Sequence, residues 1–133
     1  MKVLKYIAIA ATLLLSCCQT HEKSNKLYEE GISTELAQLR KQEIKDLKYD
    51  LHFFIPERKL EAVKGKANIR FTIQRPQEII LDFRESEDKI KEVSVNGKPT
   101  DYIFRNEHLI LPQSTFKKGV NEVHIRFIAG NQS

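Results

Sequence analysis

LKYDLHFFI, residues 47–55, decides how the chain is read. Leu47, Tyr49, Leu51, Phe53 and Ile55 alternate with Lys48, Asp50, His52 and Phe54. Successive side chains of an extended strand point to opposite faces, so this period of two predicts a long strand with one face buried. Pro56 ends it. The same period recurs downstream. Lys66–Gln74 sets Ala67, Ile69, Phe71 and Ile73 on one side, and Gly65 just before them fits a bulge or bend. EIILDF, residues 78–83, is a continuous apolar run and predicts a short strand covered on both faces. Lys89–Val95 is another strand, closed by Asn96-Gly97, the strongest short hairpin signal. Asp101–Arg105 and His108–Leu111 make two more, turning through Asn106-Glu107. Gly119-Val120-Asn121 leads into a last strand, where Val123, Ile125 and Phe127 alternate with His124 and Arg126. Short strands joined by tight turns predict an all-β fold, an antiparallel β-sandwich or saddle-like pair of sheets.

One short helix precedes the strands. Ser33 suits an N-cap, Glu35 falls in the first turn, and Arg40 and Lys41 fall near the end, an order that complements the helix dipole. Ile32, Leu36 and Leu39 recur at helical spacing, so a helix is expected over about 33–43, lying on the domain rather than inside it.

The first eighteen residues, MKVLKYIAIAATLLLSCC, are not ordinary fold material. Lys2 and Lys5 precede an apolar run from Ile7 to Leu15, then Ser16 and the only two cysteines, Cys17 and Cys18. A basic start, a short apolar stretch and a small residue read as a secretory signal. The run is shorter than the roughly 20 residues a spanning helix needs. Leu14-Leu15-Ser16-Cys17 resembles a bacterial lipobox, with Leu15 where a smaller residue is usual. The resemblance implies that Cys17 carries a diacylglycerol and becomes the mature N-terminus. Adjacent cysteines are poor disulfide partners, so stability is expected from packing. The division is therefore a signal peptide over 1–16, a polar tether over 17–30 and a β-domain over 31–133. The expected location is the bacterial cell envelope, outer membrane or periplasm, with the lipid as the link to the membrane.

Charge narrows the function classes. The formal net charge is +4, and Lys2 and Lys5 account for two of those charges. Basic and acidic residues are interleaved, with no basic stripe of the kind a nucleic-acid binder shows. Catalytic patterns are missing too. His21-Glu22 is followed by Asn25 where a zinc-protease helix needs its second histidine. His52, His108 and His124 have no metal-ligand spacing, although a cross-strand site from His52 and His124 is conceivable. No serine sits in a G-x-S-x-G elbow, and only five glycines occur. Asp82, Glu85, Glu87 and Asp88 form an acidic cluster without the spacing of a calcium loop. Phe54, on the polar face of its strand, is expected to pack under the helix or a neighbouring domain. The residues thus give no catalytic, cofactor-binding or metal-binding set.

The order of segments carries a resemblance. Tyr49 and Leu51, Val63 and Gly65, Leu81-Asp82, Val93 to Gly97, and Gly119 to Ile125 follow one another as Y-x-L, an apolar residue two before a glycine, L-D, V-x-V-N-G and G-x-N-x-V-x-I. This order, over residues from about 31 to 130, resembles the N-terminal domain of the M1 family of zinc aminopeptidases, the aminopeptidase N-like group. The resemblance implies a non-catalytic saddle domain. In complete members a following domain supplies G-x-M-E-N and H-E-x-x-H and holds zinc; neither motif occurs in this sequence. The expectation is a chain truncated before the zinc-binding domain and inactive alone, with a catalytic domain or partner protein as its neighbour. The alternative is a stand-alone, lipid-anchored binding module.

Overall fold

The computed structural model describes residues 26–58 and 60–131. The expected signal segment, Cys17 and most of the expected tether lie outside them. Helix α1 spans Thr34–Glu43. The strands are β1 Lys45–Phe54, β2 Ala62–Ile73, β3 Ile79–Asp82, β4 Ile90–Val95, β5 Lys98–Pro99, β6 Ile103–Arg105, β7 His108–Leu111 and β8 Gly119–Asn131. They form two sheets, one ordered β1-β2-β8-β4-β5 and one ordered β3-β7-β6. Every pairing within them is antiparallel. The all-β sandwich with one helix is as expected. The short β5 brings the seven expected strands to eight.

Alternation builds the core. On β2, Ala67, Ile69, Phe71 and Ile73 are buried while Lys66 and Arg70 face out. Val123 and Ile125 of β8 and Val93 and Val95 of β4 join them from the same sheet, and Ile79, Leu109 and Leu111 oppose them from the smaller one. The small sheet is covered on its outer side as well. Leu36 of α1 packs there on Ile80 and Ile110, which explains the unbroken apolar run of EIILDF. The Ser33 hydroxyl accepts from the Leu36 N–H at 3.1 Å, capping α1 as its position suggests.

Turn chemistry follows the dipeptides. Asn96 and Gly97 have φ of +52° and +78°, which lets β4 return directly into β5. Asn106 and Glu107 also turn with positive φ, linking β6 to β7. Asparagine does more than turn. Asn96 Nδ2 donates to Asn121 Oδ1 at 2.9 Å, and Asn96 Oδ1 accepts from the Glu122 N–H at 3.1 Å. Asn121, 1% exposed, donates in turn to the Lys117 and Gly119 carbonyls. The V-N-G and G-x-N pieces of the sequence are thus one hydrogen-bonded joint between a hairpin and the last strand.

Three expectations are corrected. Gly65 is not a bulge. It pairs in register between Phe53 and Phe127, and the irregularity lies at Ala62/Lys64. Glycine is required there because an added Cβ would sit 2.4 Å from the Phe127 ring. Residues 26–30 do not behave as a tether. Leu27 and Tyr28 pack on the Leu36 cluster, and the Tyr28 hydroxyl donates to Glu78 at 2.6 Å. The third correction concerns β1, whose expected buried face is open.

Candidate functional site

β1 is an edge strand, and all ten of its residues are exposed. Leu47, Tyr49, Leu51 and Phe53 lie on the same face as the buried residues of β2, yet remain 47–58% exposed. The cause is coverage. The large sheet has five strands and the small one three, so among the described residues no strand lies over β1. Between β1 and β3 runs an open groove of about 530 Å³. Its walls are apolar, with Tyr49, Leu51, Ile69, Leu81, Phe83 and Phe127 among them. Phe127 stands at one end in an edge-to-face cluster, 5.7 Å from Phe83 and 6.2 Å from Phe53 by ring centroids. Among the described residues no side chain fills this groove, and contiguous exposed apolar surface of this kind is uncommon on a solvated face.

The other end of the groove is charged. Arg40 of α1 donates from both terminal nitrogens to the Asp82 carboxylate, at 2.7 and 2.8 Å, and also to the Ile80 carbonyl at 2.8 Å. His108, 1% exposed, has Nδ1 3.0 Å from Asp82 Oδ1 and Nε2 2.8 Å from the Glu29 carbonyl. Each ring nitrogen thus faces an oxygen within the chain. Burial pushes the Asp82 carboxyl upward, but the hydrogen bonds and charge of Arg40, with His108, outweigh it and hold the group below the usual carboxylate range. This cluster ties the N-terminal segment, the helix and the small sheet together. It is a clasp, since both Asp82 oxygens, both His108 ring nitrogens and both terminal nitrogens of Arg40 are engaged within the chain.

The clasp predicts acid sensitivity. A carboxyl depressed in the folded state contributes stability fully above its unfolded value, near about 4, and loses it as pH falls through the lower native value. Asp82→Asn is expected to cost about 1–2 kcal/mol at neutral pH, modest because the side chain is 33% exposed. Urea unfolding at pH 6 and pH 3 checks this: the difference between the parent chain and the variant should shrink at the lower pH.

The remaining candidates do not converge. His52 pairs across from Lys66 and His124 from Asn68, so β2 separates them and no cross-strand site forms. His52 meets Asp50 on its own strand, and His124 Nδ1 lies 2.7 Å from Asn68 Oδ1. The acidic cluster disperses as well. Asp82 belongs to the clasp, while Asp88 accepts from Ser86. Among the described residues no three histidine, cysteine or acidic side chains gather as metal ligands. Phe54 does not pack under the helix; it is 52% exposed, with the Lys66 ammonium 5.3 Å from its ring centre. His21 and Cys17 lie outside the described residues. Sequence reasoning missed the clasp, although Leu81-Asp82 was already a motif and His108 begins the fully buried run HLIL.

Neither protein-family models nor curated proteins give a match to the chain. Among the described residues no helix is long and apolar enough to cross a membrane.

Proposed function

We propose that the chain is a non-catalytic docking domain of an aminopeptidase N-like assembly, exported and lipid-anchored through Cys17. Its task is to present a wall against a zinc-bearing catalytic partner. One observation carries the reading: the open apolar groove along β1, whose charged end is closed by the Arg40–Asp82–His108 clasp. Water-exposed leucine, tyrosine and phenylalanine on one face are costly to leave bare, and a partner surface would recover about 25 cal/mol for each Å² of apolar area it covers. The ordered segments that resemble the M1 family support the identity of that partner. They fall on structural joints here: Leu81-Asp82 on the clasp, and Val93–Gly97 with Gly119–Ile125 on the asparagine bridge. The chain contributes shape. Zinc, in the complete assembly, would polarise the scissile carbonyl and activate water from residues of the partner.

Isolation from the native envelope in mild detergent tests the assembly. The chain is expected to co-purify with an aminopeptidase activity that a zinc chelator abolishes. A monodisperse chain without such activity overturns the reading and favours the stand-alone binding module. Anchoring has its own test. Metabolic labelling with a fatty-acid analogue should mark the parent chain, and Cys17→Ser should lose the label entirely and leave the membrane fraction.

A further inference from the structure

We infer that the free edge of β1 accepts an extended strand from a partner polypeptide, apolar at alternate positions and carrying carboxylates on its outward side. The inference holds whether or not that partner is a peptidase.

Two sheet edges border the groove, and only one is available. On the β3 edge, the Ile80 carbonyl is already taken by Arg40, so that side cannot grow. On the β1 edge, Lys48 to Phe54 pair in unbroken register with β2 on one side and, among the described residues, with no strand on the other. Asp46, with φ of +52°, and the irregularity between Lys45 and Lys48 set off the first residues, leaving seven in regular extended form. Such a row of unpaired N–H and C=O groups is a template for strand addition. A strand added there lies about 4.8 Å further out. Its inward side chains fall beside Tyr49, Leu51 and Phe53 and close the open flank of the groove. Edge and groove are thus one surface: the edge supplies main-chain affinity and the groove selects apolar side chains.

The outward face sets the charge. Lys48 stands opposite Arg70, and Lys66 and Lys64 lie opposite His52 and Phe54. Among the described residues none of these four cations is in an ion pair. The one carboxylate on this part of β1, Asp50, is engaged by His52 at 3.1 Å. Cross-strand neighbours of opposite charge stabilise and like charges oppose, so the complement carries acids opposite Lys48 and His52, with a neutral residue opposite Asp50. A second copy of β1 fits less well. Laid antiparallel about Leu51, it matches Asp50 with His52 but leaves Lys48 against Phe54. Laid about Asp50, it sets two carboxylates face to face.

The test uses the full chain and a labelled seven-residue peptide with valine or isoleucine at alternate positions and Glu, Thr and Glu between them. Its outward pattern reads the same in both directions, so strand polarity need not be known. Fluorescence anisotropy should show saturable binding that weakens about tenfold when both glutamates become lysines. Lys48→Glu, an exposed change that leaves the fold intact by circular dichroism, should erase that preference, and amide exchange should slow over residues 48–54. No saturable binding, binding blind to peptide charge, or protection elsewhere overturns the inference. Self-association of the chain through β1 without peptide also overturns it, because the occupant would then be a second copy.

Discussion

Phe71→Ala is expected to lower the unfolding free energy by about 3–5 kcal/mol, enough to leave a domain of this size largely unfolded at body temperature. Phe71 is 1% exposed near the C-terminal end of β2, the strand that joins β1 to β8. Its ring lies 5.9 Å from that of Phe116, just after the turn that leads into β8. The substitution removes the transfer free energy of the ring and leaves a cavity. Around it stand residues of both sheets, and the backbone of β2 is held in register by β8 at Asn121, so the walls close only in part. Phe71→Leu keeps most of the volume and should cost about half as much. Denaturant titration of both variants gives the comparison. Equal losses would mean that the core around Phe71 collapses freely, contrary to this packing.

Gly65→Val is the second large effect, about 2–3 kcal/mol, and it acts through a neighbour. The position has ordinary strand geometry, so the cost does not come from backbone strain. It comes from Phe127, whose ring occupies the space where a side chain would stand. That ring is held by Phe53 and Phe83, and displacing it breaks both contacts. A double-mutant cycle separates this cause from strand propensity. Phe127→Ala alone should destabilise, yet in its background Gly65→Val should cost little, giving a coupling above about 1 kcal/mol. Additive losses would mean that glycine is needed there for some other reason.

Periodicity made most of the fold legible. Ala67, Ile69, Phe71 and Ile73 alternate in sequence and are buried in fact, and EIILDF has α1 on one side and the large sheet on the other. Turn positions followed because Asn-Gly and its relatives tolerate positive φ cheaply. What periodicity lacks is the extent of the opposing layer. Leu47, Tyr49, Leu51 and Phe53 alternate as cleanly as the β2 residues, but the small sheet stops before reaching them. The pattern states which face is apolar, never whether anything covers it. The clasp was hidden for a related reason: Glu29, Arg40, Asp82 and His108 are spread over eighty residues and meet only after the sheets have formed.

The place of β8 has a consequence for how the protein is made. It is the last strand in sequence but the third of five in its sheet, with β2 on one flank and β4 on the other. The β1–β2 and β4–β5 hairpins can form while the chain is still emerging, but the large sheet cannot close until β8, Gly119–Asn131, has been delivered between them. Until then each hairpin carries a bare inner edge, and the arrival of the one strand removes both at once.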